Sequence, residues 1–310
     1  MKINLANIKK AKKLLDKDDC IAVPTETVYG LAGNAYSDRA CNKIFKLKKR
    51  PKYNPLIVHY YNIQNLKKDC ELNDNFFKLY KEFCPGPITF VLNLKRDSNI
   101  SKLVTNNKKT LAVRFPNHPL TRYLLKKLYY PLAAPSANLS SKVSAVCSTD
   151  VKEDFGKKIR YILEGGKTQI GIESTIIDLR QKPKILRLGG LEISKIKKIL
   201  KKKIQLNINS NKIKSPGQLR LHYSPGIPIR LNAKNVKNTE AYLFIKKKKR
   251  MKKNFFYLSV DGNLKKAAKN LYSTLRKIKK SNYKSIAVAN VPNLGLGKTI
   301  NDRLKRASKF

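Results

Sequence analysis

The chain contains no tryptophan, two methionines, three histidines and five cysteines. Acidic residues are scarcer still in proportion: 20 Asp and Glu stand against 68 Lys and Arg, a formal charge of +48. Cysteines 20, 41, 70, 84 and 147 form no C-x-x-C pair and lie mostly in apolar surroundings. They read as free thiols of a reducing cytosol rather than disulfides or zinc ligands, so no resident metal is expected. No stretch approaches the ~20 continuous apolar residues of a membrane helix. The first residues carry lysines but no apolar core or small-residue cleavage site, which excludes a secretory signal. An amphipathic helix is expected there instead, with Leu5, Ile8, Leu14 and Leu15 on one face. No G-x-G-x-x-G follows a strand. Gly295-Leu296-Gly297-Lys298-Thr299 imitates the end of a P-loop, but Pro292 stands where that loop needs glycine. Nucleotide binding would therefore need a different architecture.

What is present is enough for ordinary cores. At 310 residues and 41% hydrophobic content, the chain predicts about two domains and no global disorder. The positive field favours polyanionic partners. Its lysines are spread over every segment, so compositional bias is read as the main cause and RNA affinity as a consequence that need not be specific. The one dense run, Lys246 to Arg250 with Lys252 and Lys253, reads as a solvated turn between strands.

The chain is organised around Pro24 to His59. Cys20-Ile21-Ala22-Val23 is a short apolar strand stopped by Pro24, after which come Thr25, Glu26, Thr27, Tyr29 and Gly30. A helix with Ala40, Ile44, Phe45 and Leu47 then delivers Lys48, Lys49 and Arg50 to its end, where Pro51 stops it. Leu56-Ile57-Val58 is a second strand, ending in His59. Hydroxyls, fixed cations and an imidazole thus meet at strand and helix ends, where open α/β sheets collect ligands. Downstream, Leu132-Ala133-Ala134-Pro135 ends in Ser136-Ala137-Asn138, again polar groups at a strand terminus. Further strands are expected over Ile88–Leu94, Thr110–Phe115 with Arg114 inside it, up to Asp178 after Glu173-Ser174-Thr175, and Ile185–Leu188. Helices are expected around Phe76–Phe83, Leu120–Leu128 and Glu192–Lys202, and Lys95–Lys109 is expected to be a mobile loop. His118 reads as a turn residue. Interleaved strands and helices point to a mixed α/β sheet. Patterning lapses from Ile204 to Pro228, and a small Rossmann-like unit follows, with strands at Tyr242–Ile245, Phe256–Ser259 and Ile286–Ala289 and a helix over Leu264–Ile278.

The Pro24–His59 segment, with Lys48-Lys49-Arg50 as a K-x-R motif, and Ser136-Ala137-Asn138 as an S-x-N motif resemble the signature of the YrdC-like family of L-threonylcarbamoyladenylate synthases. Pro85-Gly86-Pro87-Ile88-Thr89 matches the family's P-G-P-x-T turn. Ser215-Pro216-Gly217 followed by His222-Tyr223-Ser224-Pro225 resembles the connector of its longer, two-domain branch. The final Gly295 to Ser308 stretch is similar to that branch's G-x-x-x-x-D-R-L-x-R-A pattern. Departures are Arg187-Leu188-Gly189 in place of R-P-G, and Gln218 where Met is common.

The resemblance implies a YrdC-like mixed twisted sheet over residues 1–203, a lid-like linker over 204–228 and a Rossmann-like domain over 229–310. It implies adenylation: threonine, bicarbonate or CO2, and ATP give threonylcarbamoyl-AMP and pyrophosphate, which a downstream threonylcarbamoyl transferase uses on tRNA beside the anticodon. Lys48 and Arg50 would act in catalysis and bind ATP. Asn54, Thr110, Ser136, Asn138, Ser144, Arg187 and Tyr223 would complete the ATP contacts. Thr27, His59, Arg114, Ala134 (by its backbone) and Ser174 would bind threonine. Mg²⁺ would accompany ATP, with no organic cofactor. The setting would be cytoplasmic, with double-stranded RNA or tRNA as a further partner and no membrane. Two other readings compete with this one. A non-catalytic basic RNA-binding factor does not explain the polar groups at strand ends. A carbamoyltransferase of hydrogenase maturation would carry cysteine pairs ahead of the first strand, which begins here at Cys20.

Overall fold

The computed structural model describes residues 3–208 and 222–309. Ser215-Pro216-Gly217 and Gln218 of the expected linker lie outside them. The chain opens with α1 (Leu5–Leu15), β1 (Ile21–Val23), β2 (Gly30–Asn34), α2 (Asp38–Lys48) and β3 (Ile57–His59). There follow α3 (Ile63–Lys67), α4 (Asp74–Phe83), β4 (Ile88–Asn93), α5 (Lys102–Thr105), β5 (Thr110–Arg114), α6 (Pro119–Lys127) and β6 (Leu132–Ala133). The first unit closes with α7 (Ser148–Phe155), β7 (Thr175–Asp178), β8 (Lys184–Arg187), α8 (Ile193–Leu200) and β9 (Gln205–Leu206). Its strands form one mixed sheet in the order β1-β2-β6-β3-β5-β4-β7-β8-β9. The central strands β3, β4, β5 and β7 are covered on both faces, so they read as continuous apolar runs rather than alternating ones.

Three details depart from the sequence expectation. Leu5 is exposed, and Ile8, Ala11 and Leu15 form the face of α1 that packs on Leu120, Leu124 and Leu125 of α6. The stretch 95–109 contains α5, because Ile100 and Val104 are buried and Ser101 caps the turn. Residues 205 and 206, placed in the linker by composition, pair in parallel with β8 as a short edge strand.

The second unit carries β10 (Ile229–Arg230), β11 (Glu240–Lys246), β12 (Phe255–Ser259), α9 (Leu264–Lys280), β13 (Ser285–Val288) and α10 (Leu296–Ala307). Its strands are all parallel, in the order β10-β13-β11-β12. The lysine run between β11 and β12 is exposed. This unit's core is shared with the first: Val28, Val143, Val146, Ile172 and Tyr223 pack into the same cluster as Leu271, Leu275 and Ile300. Gly171 marks the tightest approach. Its φ is +78°, and a Cβ there would stand 2.3 Å from the Lys269 carbonyl oxygen of α9. No helix among the described residues is long and apolar enough to cross a membrane. The five cysteines are free thiols, three buried and two half-buried.

Candidate functional site

The helix α2 is built to bring its last turn inside. Ser37 caps its start, Asp38 sits in the first turn, and Ala40, Cys41, Ile44, Phe45 and Lys48 share the buried face. Lys48 therefore lies on the apolar stripe itself, and Lys49 ends the helix in the left-handed conformation. The Lys48 ammonium donates to the carbonyl oxygens of Ser136 and Asn138, each at 2.5 Å. The K-x-R lysine thus ties one motif to the other and keeps one N–H for a ligand. Arg50 turns inward after it, donating from Nε to the Asn54 carbonyl at 3.1 Å and from Nη2 to that of Pro55 at 2.9 Å. Burial, with Arg50 beside it, holds the Lys48 ammonium well below its usual range. Burial, with Arg187 nearby, lowers Arg50 to about 9. Cations held at such a cost favour a bound polyanion.

The sheet supplies the opposite wall. Parallel pairing of β3 and β5 sets His59 beside Arg114 at their carboxyl ends, and antiparallel β4 brings Thr89 next to Arg114. Arg114 donates to Glu26 at 2.7 Å in a buried ion pair, and Glu26 also accepts the Asn117 backbone N–H. Arg187, at the end of β8, donates to the Ser174 carbonyl and hydroxyl, and Ser174 bonds Thr89 at 2.7 Å. Ser144 donates to Glu173 at 2.6 Å. Thr27 bonds Thr25, whose hydroxyl caps this turn on the Val28 carbonyl.

Across the top runs the segment from His222 to Gly226. Tyr223 is fully buried at φ +67°, a conformation that bulky residues rarely adopt and that here is held by packing. The enclosed cavity is lined by Arg50, His59, Arg114, Ala134, Ser136 and Arg187, together with Thr25, Tyr29, Glu173 and His222. Only 40 Å³ of it is open to the centre of a water molecule, far less than a nucleotide needs. A roomier hollow of 280 Å³ lies between the units around Arg276, where Asp154 already pairs with that arginine; it has no share in this chemistry.

Among the described residues, buried side-chain polar atoms with no hydrogen-bond partner include three on residues that line this cavity, His59 Nδ1, Arg114 Nε and His222 Nδ1, and others on Asn54, Asn138 and Tyr223. Such orphans are costly unless a ligand uses them. Burial, with Arg114 adjacent, pushes His59 well below 6.5, and burial pushes His222 down to about 3. Both rings are neutral in the fold, so the unfolded chain takes up their protons first as pH falls below 6.5. Their contribution to stability is whole above that pH and declines below it, by up to about 1.4 kcal/mol per histidine per pH unit. A urea midpoint should accordingly drop between pH 7 and pH 5, and an unchanged midpoint would contradict the buried neutral assignment.

Of the residues singled out from sequence, Lys48, Asn54, Asn138, Ser144, Thr27, Ser174 and Tyr223 back the wall rather than line it. Thr110 opens β5, four residues and about 13 Å from Arg114 at the other end of the strand. His118 stands at the position before α6 without a side-chain capping bond, its ring 3.4 Å from the Gly165 carbonyl. Sequence reasoning overlooked Glu173 and Glu26 as partners of arginine, and with them His222, Tyr272 and Arg303. A signal existed for the two carboxylates. In so acid-poor a chain, Glu26 sits between Thr25 and Thr27 and Glu173 directly precedes Ser174 and Thr175, each beside an apolar run.

Comparison with known proteins identifies the family. The family profile described as "Telomere recombination" matches residues 13–189, and that of the "Threonylcarbamoyl-AMP synthase, C-terminal domain" matches residues 191–309. A threonylcarbamoyl-AMP synthase of Pyrococcus abyssi is 34% identical over 98% of this chain and 94% of its own. One of Bacillus subtilis is 38% identical over 73% of this chain and 66% of its own. The crystal structure of P. abyssi Sua5 complexed with L-threonine superposes with a TM-score of 0.90 at 32% identity, covering 99% of this chain and 96% of that one. The chain belongs to the threonylcarbamoyl-AMP synthase family, in the branch with a second, C-terminal domain.

Proposed function

We propose that the protein condenses L-threonine, bicarbonate or CO2, and ATP into threonylcarbamoyl-AMP and pyrophosphate in this cavity. The observation that carries the reading is the gathering of buried cations and partnerless polar atoms at one end of the sheet, under the Tyr223 segment. The threonine amine takes up CO2 to give a carbamate, and a carbamate oxygen attacks the α-phosphorus of ATP while pyrophosphate leaves. No covalent nucleophile on the protein is needed. Lys48 and Arg50 neutralise charge on the phosphates, with Ser136, Asn138, Asn54, Thr110, Ser144 and Arg187 as further nucleotide contacts. Arg114 holds the threonine carboxylate, with His59, Thr27, Ser174 and the Ala134 backbone around the rest of the amino acid.

The small cavity makes residues 222–226 a lid that withdraws for ATP, with Tyr223 and His222 returning over the nucleotide to exclude water. Mg²⁺ enters with ATP as its counter-ion. Glu173 at the cavity and Glu26 behind it are each paired with an arginine, and no cluster of metal-ligating side chains occurs among the described residues. The product serves a transferase that modifies tRNA in the cytoplasm, and contact of this basic surface with RNA is electrostatic and weakly sequence-selective.

Incubation of the purified protein with ATP, Mg²⁺, threonine and labelled bicarbonate should yield labelled adenylate and pyrophosphate together. Folded protein that forms neither would remove this reading.

A further inference from the structure

The cavity wall contains one carboxylate whose main partner comes from the other unit. Arg303 of α10 is 1% exposed, and its Nε donates to Glu173 at 2.9 Å. Its Nη2 donates to the Leu188 carbonyl at 2.6 Å, and Nη1 pairs with Asp302 at 2.6 Å. The guanidinium carbon stands 4.7 Å from the centroid of the Tyr223 ring. Tyr272 of α9 donates its hydroxyl to the same Glu173 carboxylate and stacks on Tyr223, with centroids 5.7 Å apart and planes at 18°. Two side chains of the second unit therefore touch both Glu173, which lines the cavity, and Tyr223, which covers it.

We propose that Arg303 is a positioning residue: from the second unit it holds Glu173 and Tyr223 in the closed arrangement, so that both units together form the catalytic site. This rests on the function proposed above. An arginine serves because one planar cation can fork to a carboxylate and a carbonyl while its face lies on an aromatic ring, which lysine cannot reproduce. The groups facing Glu173 are Arg303 from α10, Tyr272 from α9, Arg187 from β8, Ser144, and the nearby His222 and Tyr223, with Lys48 and Arg50 on the far wall. Burial opposes the Glu173 charge, but Arg303 first and Arg187 second hold its carboxyl at about 2. Removing Arg303 would leave a buried carboxylate that takes a proton at higher pH and loosens its hold on Arg187 and on the covering segment.

The test is the pH profile of kcat/KM for adenylate formation, expressed as the ratio of variant to wild type. Arg303→Gln should lower the ratio about ten-fold at pH 8 and further at pH 6, since buried Glu173, short of its main cation, takes up a proton more readily as pH falls. The double variant Arg303→Gln/Glu173→Gln should be low and flat with pH. A ratio for Arg303→Gln that does not change with pH, or no loss at all, would overturn the proposal while leaving the activity assignment standing. If Arg303→Gln fails to fold, Arg303→Lys decides. It keeps the charge but not the flat face on Tyr223, so a flat ratio with kcat about five-fold down is expected, and wild-type kcat would overturn the proposal. A wild-type protein without activity would instead remove the proposed function, and this inference with it.

Discussion

Replacing Arg50 by alanine is expected to lower adenylate formation by about a hundred-fold or more, because a charge-assisted phosphate contact contributes about 1.5–3 kcal/mol and more where it tightens in the transition state. The change also reaches the fold, since Arg50 donates to the Asn54 and Pro55 carbonyls. Loss of those donors should lower stability by about 1–3 kcal/mol, visible as an earlier thermal transition. Arg50→Lys should not restore turnover, for a point charge cannot reach two carbonyls and a phosphate from one plane. Near-normal turnover in folded Arg50→Ala protein would sink the assignment.

The largest effect on stability is expected from Arg114→Met. Arg114 and Glu26 are 5% and 3% exposed at their side chains, and methionine leaves the carboxylate buried with only the Asn117 N–H for company. Breaking such a pair from one side costs about 3–5 kcal/mol. Combining Arg114→Met with Glu26→Gln should recover much of that loss, because no lone charge then remains inside. Activity should stay absent in the double variant, since the cation assigned to the threonine carboxylate is gone. Denaturant unfolding of the three proteins, with threonine titrations on each, separates the two roles. Restored threonine binding in the double variant would show that Arg114 serves the fold alone.

The ends of strands were legible because proline, glycine and hydroxyl residues interrupt apolar runs at Pro24, Pro135 and Gly189. The periodicity of α2 was legible through Ala40, Ile44 and Phe45, but Leu47 was expected on that face where the structure puts Lys48, one turn beyond Ile44. The loop at 95–109 and the edge strand at 205–206 were not legible: α5 is a single turn, and β9 exists only because β8 offers it a free edge. Local pattern carries little information about elements so short.

Sequence by itself determined the class of the molecule and the chemistry it can do. Its acid-poor composition, strand-end hydroxyls, K-x-R and S-x-N motifs and two-part layout are all local properties of the chain. Tertiary structure decided which of these groups work together. Glu26 and Arg114 stand 88 residues apart, and Glu173 and Arg303 are 130 apart, yet each forms a buried pair. Nothing in either neighbourhood names its partner. Such partners are chosen by sheet order and by the docking of α9 on Gly171, which set the distances at which charges compensate one another out of water.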